Sequence, residues 1–488
     1  MDENLIDAQP PSLWSHFDEI RKIPRCSGAE SAVAAHVEQI AARHQATWQA
    51  DAAGNVVIRV PASPGAEQAP CVILQAHLDM VGEKNADVAH DFAADPIGLR
   101  REGEMLFAQG TTLGADNGVG IAAALAVVTD PGVVHGPLEL LFTVDEETGL
   151  TGARNLDATL LRGRALLNLD SEEHGALFIG CAGGAETAAR LQVDQRPLPG
   201  TRGLTPLKIE VRGLAGGHSG IDIHLDRGNA LVILRDALAR VLALGIELQL
   251  ASFTGGSKHN AIPREAEALV WTSAPMRLDE VLRRETEAVA ARYQGREQGI
   301  RIQAQVVDVP VQVWSPLVRD RFLSLLAALP HGVIRMSQEV PGLVETSNNV
   351  AVAAFDRGML TLTCSSRSSV NGELRRVQQG IVDLLAAAGF EVDADEGYPG
   401  WAPNLESPIL RQVEQVFLAQ FGKPAQRKAI HAGLECGLLG AKVPGLDMIS
   451  FGPDIFSPHS PTEHVSVPSV ASFWQLLCGV LAEIARAR

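Results

Sequence analysis

Three short apolar runs, each closed by histidine or acidic side chains, constrain this chain more than any other feature. Cys71-Val-Ile-Leu-Gln-Ala76 stops at His77-Leu-Asp79, the run from Leu138 to Val144 at Asp145-Glu146-Glu147, and Ala165-Leu-Leu-Asn-Leu169 at Asp170. Runs of this length bounded by polar residues read as buried strands. A fourth, Met448-Ile-Ser-Phe451, leads through Gly-Pro-Asp-Ile-Phe-Ser-Pro to His459. Between the first two lies the glycine-rich loop Gly110–Gly120, which contains Asp116 and feeds an apolar helix from Ile121. In open α/β sheets, sites gather at the carboxyl ends of strands. Several strand ends carrying His, Asp or Glu therefore form the pattern of a metal centre.

The pair Glu146-Glu147 sharpens that reading. A lone Glu-Glu at a strand end is ordinarily a polar turn, and two bare neighbouring carboxylates repel and raise each other's pKa. A cation beside them relieves the repulsion. Side chains of successive residues on an extended segment point in opposite directions, so the two acids are expected to take different roles. Two histidines with three carboxylates suit zinc, manganese or cobalt and exceed what one tetrahedral zinc needs. Two ions about 3.5–4 Å apart, bridged by one carboxylate, would use the whole set.

His77-x-Asp79, Gly114-Ala-Asp116-Asn-Gly, Glu146-Glu147, Asp170 and Ser457-Pro-His459-Ser-Pro-Thr-Glu463 stand in the order found in the M20 di-zinc metallopeptidases, which the chain resembles nearly end to end. Leu74–Asn85 and His431-Ala-Gly-Leu-Glu-Cys-Gly437 are most similar to the bacterial aminoacyl-histidine (Xaa-His, carnosine-hydrolysing) dipeptidases of that family. The resemblance implies two divalent metal ions per chain, zinc first, with manganese or cobalt as alternatives. It implies that Asp116 bridges them, that His77 and Asp170 complete one site, and that Glu147 and His459 complete the other. Asp79 then orients His77, and Glu146 is the general base that takes a proton from the attacking water and passes it to the leaving amine. A cis peptide between Asp116 and Asn117 is implied as well. The expected activity is hydrolysis of Xaa-His and other dipeptides. The alternatives are a tripeptidase, an N-acyl-amino-acid deacylase or a Cys-Gly dipeptidase on the same scaffold, or a non-enzymatic binding protein on a retired hydrolase fold.

Composition sets the remaining bounds. With 58 acidic against 41 basic residues the formal charge is −17, which argues against nucleic acid or an anionic membrane as partner. The acidic start Met-Asp-Glu-Asn-Leu-Ile-Asp carries no signal-peptide pattern, and no uninterrupted apolar run reaches the ~18 residues of a membrane span. The six cysteines show no CxxC spacing and read as free thiols, so a cytoplasmic location is expected.

At 488 residues two or more domains are expected. Strand–helix alternation up to about residue 185 predicts an α/β catalytic domain with a mixed central sheet flanked by helices, of the zinc-peptidase type. This domain (1–185) resumes at 399–488 and ends in a helix over 468–487. Between them, 186–398 reads as an α+β insertion, a lid in the resembled family, with strands at 204–212 and 265–271 and helices at 228–242 and 277–293. Residues Ser257–Thr272 echo Thr346–Cys364 at a spacing of about 90 residues, which predicts a doubled βαββαβ, ferredoxin-like unit. A doubled lid permits a monomer; a homodimer through lid edges is the assembly expected by analogy. The resemblance assigns His218, in Gly216-Gly-His-Ser-Gly220, to the developing oxyanion. It assigns Asn260 to the substrate backbone, Arg367 to its terminal carboxylate, and Gly433 to close approach of substrate. His431 and His464 flank motifs without an assigned role.

Overall fold

The computed structural model describes residues 2–5, 7–198 and 200–486, in two compact units. One comprises Met1–Gly180, Trp401–Ala429 and Leu434–Arg488; the other comprises Cys181–Gly400 with Ile430–Gly433.

In the first unit the apolar runs become neighbouring strands of one eight-stranded sheet. Val72–His77 pairs in parallel with Leu138–Thr143 on one side and with Ala165–Asn168 on the other, and Asp447–Ser450 continues the parallel set. The side chains of the first two strands are buried from end to end, as expected of strands covered on both faces. Thr47–Ala50 and Val56–Val60 add antiparallel strands beyond Leu138–Thr143, so the sheet is mixed. Parallel pairing brings the carboxyl ends of four strands to one edge, which is where His77, Asp170 and the segments after Thr143 and Ser450 emerge. The helix Ala115–Thr129 is buried along almost its whole length. Its run of alanines at 122–124 and 126 lets it lie close against neighbouring elements. The expected C-terminal helix spans Val467–Arg486, residue 487 lying outside the described residues. By length and composition it could cross a membrane, but Val470, Phe473, Leu477, Val480 and Leu481 pack into this unit's core.

The strand ending at Thr143 stops earlier than its sequence pattern suggests. Asp145 adopts a left-handed conformation (φ 51°), and Glu146–Gly149 forms one turn of helix. The two glutamates therefore do not alternate across an extended segment. They sit at successive positions of a helical turn, and a ligand oxygen of each lies within 4.8 Å of the other and of a His77 nitrogen. The chain reversal at Asp145 is what turns both carboxylates the same way.

The second unit contains the βαββαβ pattern twice. Thr205–Arg212, a helix at Ala230–Ala243, Gln249–Gly255, Ala266–Thr272, a helix at Pro275–Arg292 and Arg301–Val306 form one copy, its strands ordered fourth-first-third-second. Gly183–Gln192, a helix at Pro316–Ala328, Val344–Asp356, Met359–Ser368, a helix at Asn371–Ala387 and Glu391–Ala394 form the other, in the same order. A single bridge, Gly255 to Ala353, joins them into one sheet. The copies are nested: the first is inserted between the first strand and first helix of the second. The sequence echo also pairs unlike parts, because the loop holding Asn260 aligns with Asn349 inside a strand. The two hairpins differ in their connections, a long loop over 256–265 in one and a tight Arg357-Gly358 turn in the other.

Candidate metal centre

Six side chains of the first unit, His77, Asp116, Glu146, Glu147, Asp170 and His459, converge at the sheet edge. His77 Nε2 lies 3.0 Å from Asp116 Oδ1 and 3.2 Å from Asp170 Oδ1. His459 Nε2 lies 3.2 Å from Asp116 Oδ2 and 2.9 Å from Glu147 Oε2. Asp116 thus offers one oxygen to each of two sets, His77–Asp116–Asp170 and His459–Asp116–Glu147. The peptide following Asp116 is cis. Glu147 Oε1 is buried without a hydrogen-bond partner, a costly condition for an ionised oxygen. Imidazole nitrogens and carboxylate oxygens in this arrangement fit two divalent ions sharing a bridging carboxylate.

The electrostatics follow from crowding. Burial alone would lower His77, but Asp170, Asp116 and Asp79 hold it well above the usual imidazole value. Hydrogen bonds to Asp116 and Glu147 lift His459 to about 11. Burial raises Glu146 well above the ordinary carboxylate value, with Asp170, Glu435 and Glu147 adding to it. Asp79 resists burial and stays well below the carboxylate range, because His77 and the Glu146 amide hydrogen-bond to it.

Asp79 does more than orient His77, whose Nδ1 lies 3.3 Å from its Oδ1. It accepts the backbone N–H of Glu146 (3.0 Å) and of Glu147 (3.1 Å), so one buried carboxylate fixes an imidazole and the helical turn carrying both glutamates. Several supporting residues carried no role in the sequence reading. Ser27 donates to Asp79 Oδ2 (2.8 Å), and Glu30 accepts the N–H of Asp145 (3.0 Å). Arg25 donates to the carbonyls of Leu78 (3.0 Å), Asp79 (2.6 Å) and Gly114 (2.5 Å), clamping the loop after His77 to the loop before Asp116. Glu463 accepts four successive amides: Leu113 and Gly114 at Oε2, Ala115 and Asp116 at Oε1. Beneath the ligands, Glu435 Oε2 accepts from Gln75 (2.5 Å) and Thr143 (2.7 Å), and Asn168 donates to Gln75 (2.5 Å). That ladder ties together the three strands that lead to His77, Glu146 and Asp170. Gln75 and Asn168 stand two residues before His77 and Asp170 respectively, and Glu435 lies in the run His431–Gly437.

Comparison with known proteins shows the family. The model of peptidase family M20/M25/M40 matches residues 73–483. The chain is 40% identical, over 98% of its length and 99% of the relative's, to the cytosol non-specific dipeptidase of Escherichia coli strain K12. The crystal structure of aminoacylhistidine dipeptidase from Vibrio alginolyticus superposes with a TM-score of 0.90 at 40% identity, covering 98% of both chains. The chain belongs to the M20 peptidase family. An aminopeptidase from Bacillus cereus shares the fold at a TM-score of 0.56 and 13% identity, over 97% of this chain and 98% of its own.

Of the remaining residues singled out in this M20 sequence, His464 lies in the first unit, stacked on Phe107 and Phe456 at ring-centroid distances of 4.5 and 4.9 Å, and the others lie in the second unit. His218 pairs with Ala261, and the Asn260 carbonyl accepts the N–H of Ser219 (2.8 Å). His218 and Asn260 line an open cavity of about 810 Å³. His218 Nδ1 accepts the N–H groups of Gly220 (3.2 Å) and Ile221 (3.0 Å), which leaves its proton on Nε2. Burial, and then the charge of Arg367, lower this imidazole to about 4, so it is a neutral N–H donor at neutral pH. A Cβ at Gly220 would meet His218 at 3.0 Å and Arg367 Nε at 3.1 Å, so both side chains border this glycine. A Cβ at Gly433 would meet the ring and hydroxyl of Tyr398 at 2.9–3.2 Å. His431 is buried, with Nε2 2.7 Å from Ser347 Oγ.

Two outcomes are expected. Glu463→Gln replaces two acceptor oxygens with one and loosens the loop that presents Asp116. Divalent-cation affinity, measured by chelator competition, should fall roughly 10- to 100-fold, as when other residues that orient ligands are changed. His431, lowered from 6.5 to about 3 chiefly by burial, is uncharged in the fold and takes a proton on unfolding. Its contribution to stability is therefore full above pH 6.5 and is lost as pH falls toward 3, at up to about 1.4 kcal/mol per pH unit. His431→Gln should flatten that part of a stability-versus-pH curve from denaturant unfolding; an unchanged slope would contradict it.

Proposed function

We propose that this chain is a metal-dependent dipeptidase of the cytoplasm that hydrolyses Xaa-His dipeptides and other dipeptides. The observation that carries the reading is Asp116, placed with one oxygen toward each of two histidine–carboxylate sets, with Glu146 standing beside them as the acid left over. His77, Asp116 and Asp170 hold one divalent ion, and Asp116, Glu147 and His459 a second; zinc suits the donors, with manganese or cobalt as alternatives. Ions bound there supply Lewis acidity to the scissile carbonyl and acidify the attacking water.

The chain's own groups do the rest. Glu146 makes no side-chain hydrogen bond or ion pair among the described residues, and burial raises its pKa above the ordinary carboxylate value. It takes the proton from water and delivers it to the departing amine. Asp79 fixes both His77 and the Glu146 amide. His218, neutral with its proton on Nε2, donates to the oxyanion as it forms. Arg367 pairs with the substrate's terminal carboxylate, and Asn260 faces its backbone. The 40% identical relatives, named as dipeptidases, support the substrate class. A homodimer through edges of the second unit remains the proposed assembly.

The test is a panel of dipeptides, tripeptides and N-acyl-amino acids given to metal-loaded enzyme. Xaa-His dipeptides should be cleaved, and turnover confined to tripeptides or acyl-amino acids would overturn the reading. Glu146→Gln should lower kcat by roughly 10²–10⁴-fold while still binding two ions per chain by elemental analysis. A variant with undiminished turnover would remove Glu146 from the mechanism. Full activity with one ion per chain would remove the second site.

A further inference from the structure

Arg367 is buried in the second unit without an acid to balance it. Its residue is 7% exposed, its Nε is buried without a partner, and no carboxylate among the described residues lies within ion-pair distance. The one side-chain hydrogen bond it makes among the described residues runs from Nη1 to the hydroxyl oxygen of Tyr398, 3.1 Å away. A guanidinium taken out of water with no counter-ion is strongly disfavoured. The arrangement is that of a site completed by an anion.

The phenol beside it is seated by construction. A Cβ at Gly184 would stand 2.7–2.8 Å from the Tyr398 ring and hydroxyl, and one at Gly433 2.9–3.2 Å from them. Two glycines far apart in sequence are both required for this ring to occupy this slot. The backbone is pinned as well, with Gly184 N–H donating to the Tyr398 carbonyl (3.1 Å) and Tyr398 N–H to that of Gly184 (2.8 Å). Because the hydroxyl oxygen accepts from Arg367, its own proton is free to donate, and no acceptor for it stands among the described residues. A guanidinium and an O–H donor side by side match the two oxygens of a carboxylate.

We infer that Tyr398 determines specificity for a free C-terminus: it holds Arg367 in place and donates its hydroxyl proton to the terminal carboxylate of the peptide. This rests on the reading of Arg367 as the carboxylate clamp. Gly433 then serves the site by making room for the phenol.

Wild type, Tyr398→Phe and Arg367→Met are compared on one dipeptide and on its C-terminal amide. Tyr398→Phe keeps the ring in its slot and removes only the hydroxyl. Its KM for the free acid should rise about tenfold, the value of one hydrogen bond to a charged group, with kcat nearly unchanged and the amide unaffected. Arg367→Met should lose the preference for the acid more completely. Gly433→Ala, which crowds the ring, should reproduce the Tyr398→Phe pattern with an unaltered circular dichroism spectrum. If Arg367→Met abolishes the preference while Tyr398→Phe matches wild type, the role of Tyr398 is overturned and the clamp stands. If neither variant alters the preference, the clamp itself is overturned. Equal losses on acid and amide in Tyr398→Phe would reduce the phenol to a structural element and overturn the proposal.

Discussion

A crowd of buried carboxylates has to be held together before it can bind anything, and the first unit is organised around that repulsion. Asp79, Asp116, Glu147, Asp170, Glu435 and Glu463 lie within a few side chains of one another, where charges a few ångströms apart interact far more strongly than in water. They are stabilised by several means. Glu463 is held by four backbone amides at the start of a helix, where the peptide dipoles also favour negative charge. Asp79 is held by two amides and a serine hydroxyl. Asp116, Glu147 and Asp170 rely on histidine, which is why they form the part of the cluster suited to exchanging protons for cations.

Arg25 is a permanent cation within this arrangement, yet among the described residues it pairs with no carboxylate. It spends its donors on three carbonyls, so its charge lies in the field of Asp79, Glu463, Asp116 and Glu147 while its geometry locks two loops together. Had it formed a direct ion pair with Asp116, it would have competed for the bridging position. By binding backbone it favours the ionised state of the acids and leaves their oxygens free. A lysine could not do this, since one ammonium cannot span three carbonyls held at fixed angles.

How much of this was legible in the sequence depended on whether the signal was local. The strand ends were readable because a buried strand and its terminal polar residue are neighbours in the chain, and His77 and Asp170 fell where that logic placed them. The helical turn at Glu146 was not readable. It depends on a left-handed Asp145 and on Asp79, sixty-seven residues away, accepting both amides. Arg25, Glu435 and Tyr398 were missed for a related reason: an isolated Arg, Glu or Tyr in a loop or at a helix start looks the same whether it is solvated or buried. Gly433 was singled out for its lack of a side chain, and a Cβ there would crowd the ring of Tyr398, a contact between residues 35 apart that no local signal carries.

The nested unit shows how a duplication can hide its own order. In a βαββαβ unit whose strands run fourth-first-third-second, the first and last strands are antiparallel neighbours, so the chain enters and leaves at the same place. Leu207 pairs with Val306, and the ribbon of Gln195–Pro197 with Gln312–Trp314 joins the two crossings. The host copy is broken between its first strand and first helix, and a hydrogen bond from Ser315 N–H to the Asp194 carbonyl (3.0 Å) spans the break. Insertion there adds a unit without separating any paired strands of the host. It also places the host's first strand before the guest and the remainder after it. A repeat period read along the chain finds only the parts that follow the guest, which is why the echo near 90 residues could reveal a duplication but not its nesting.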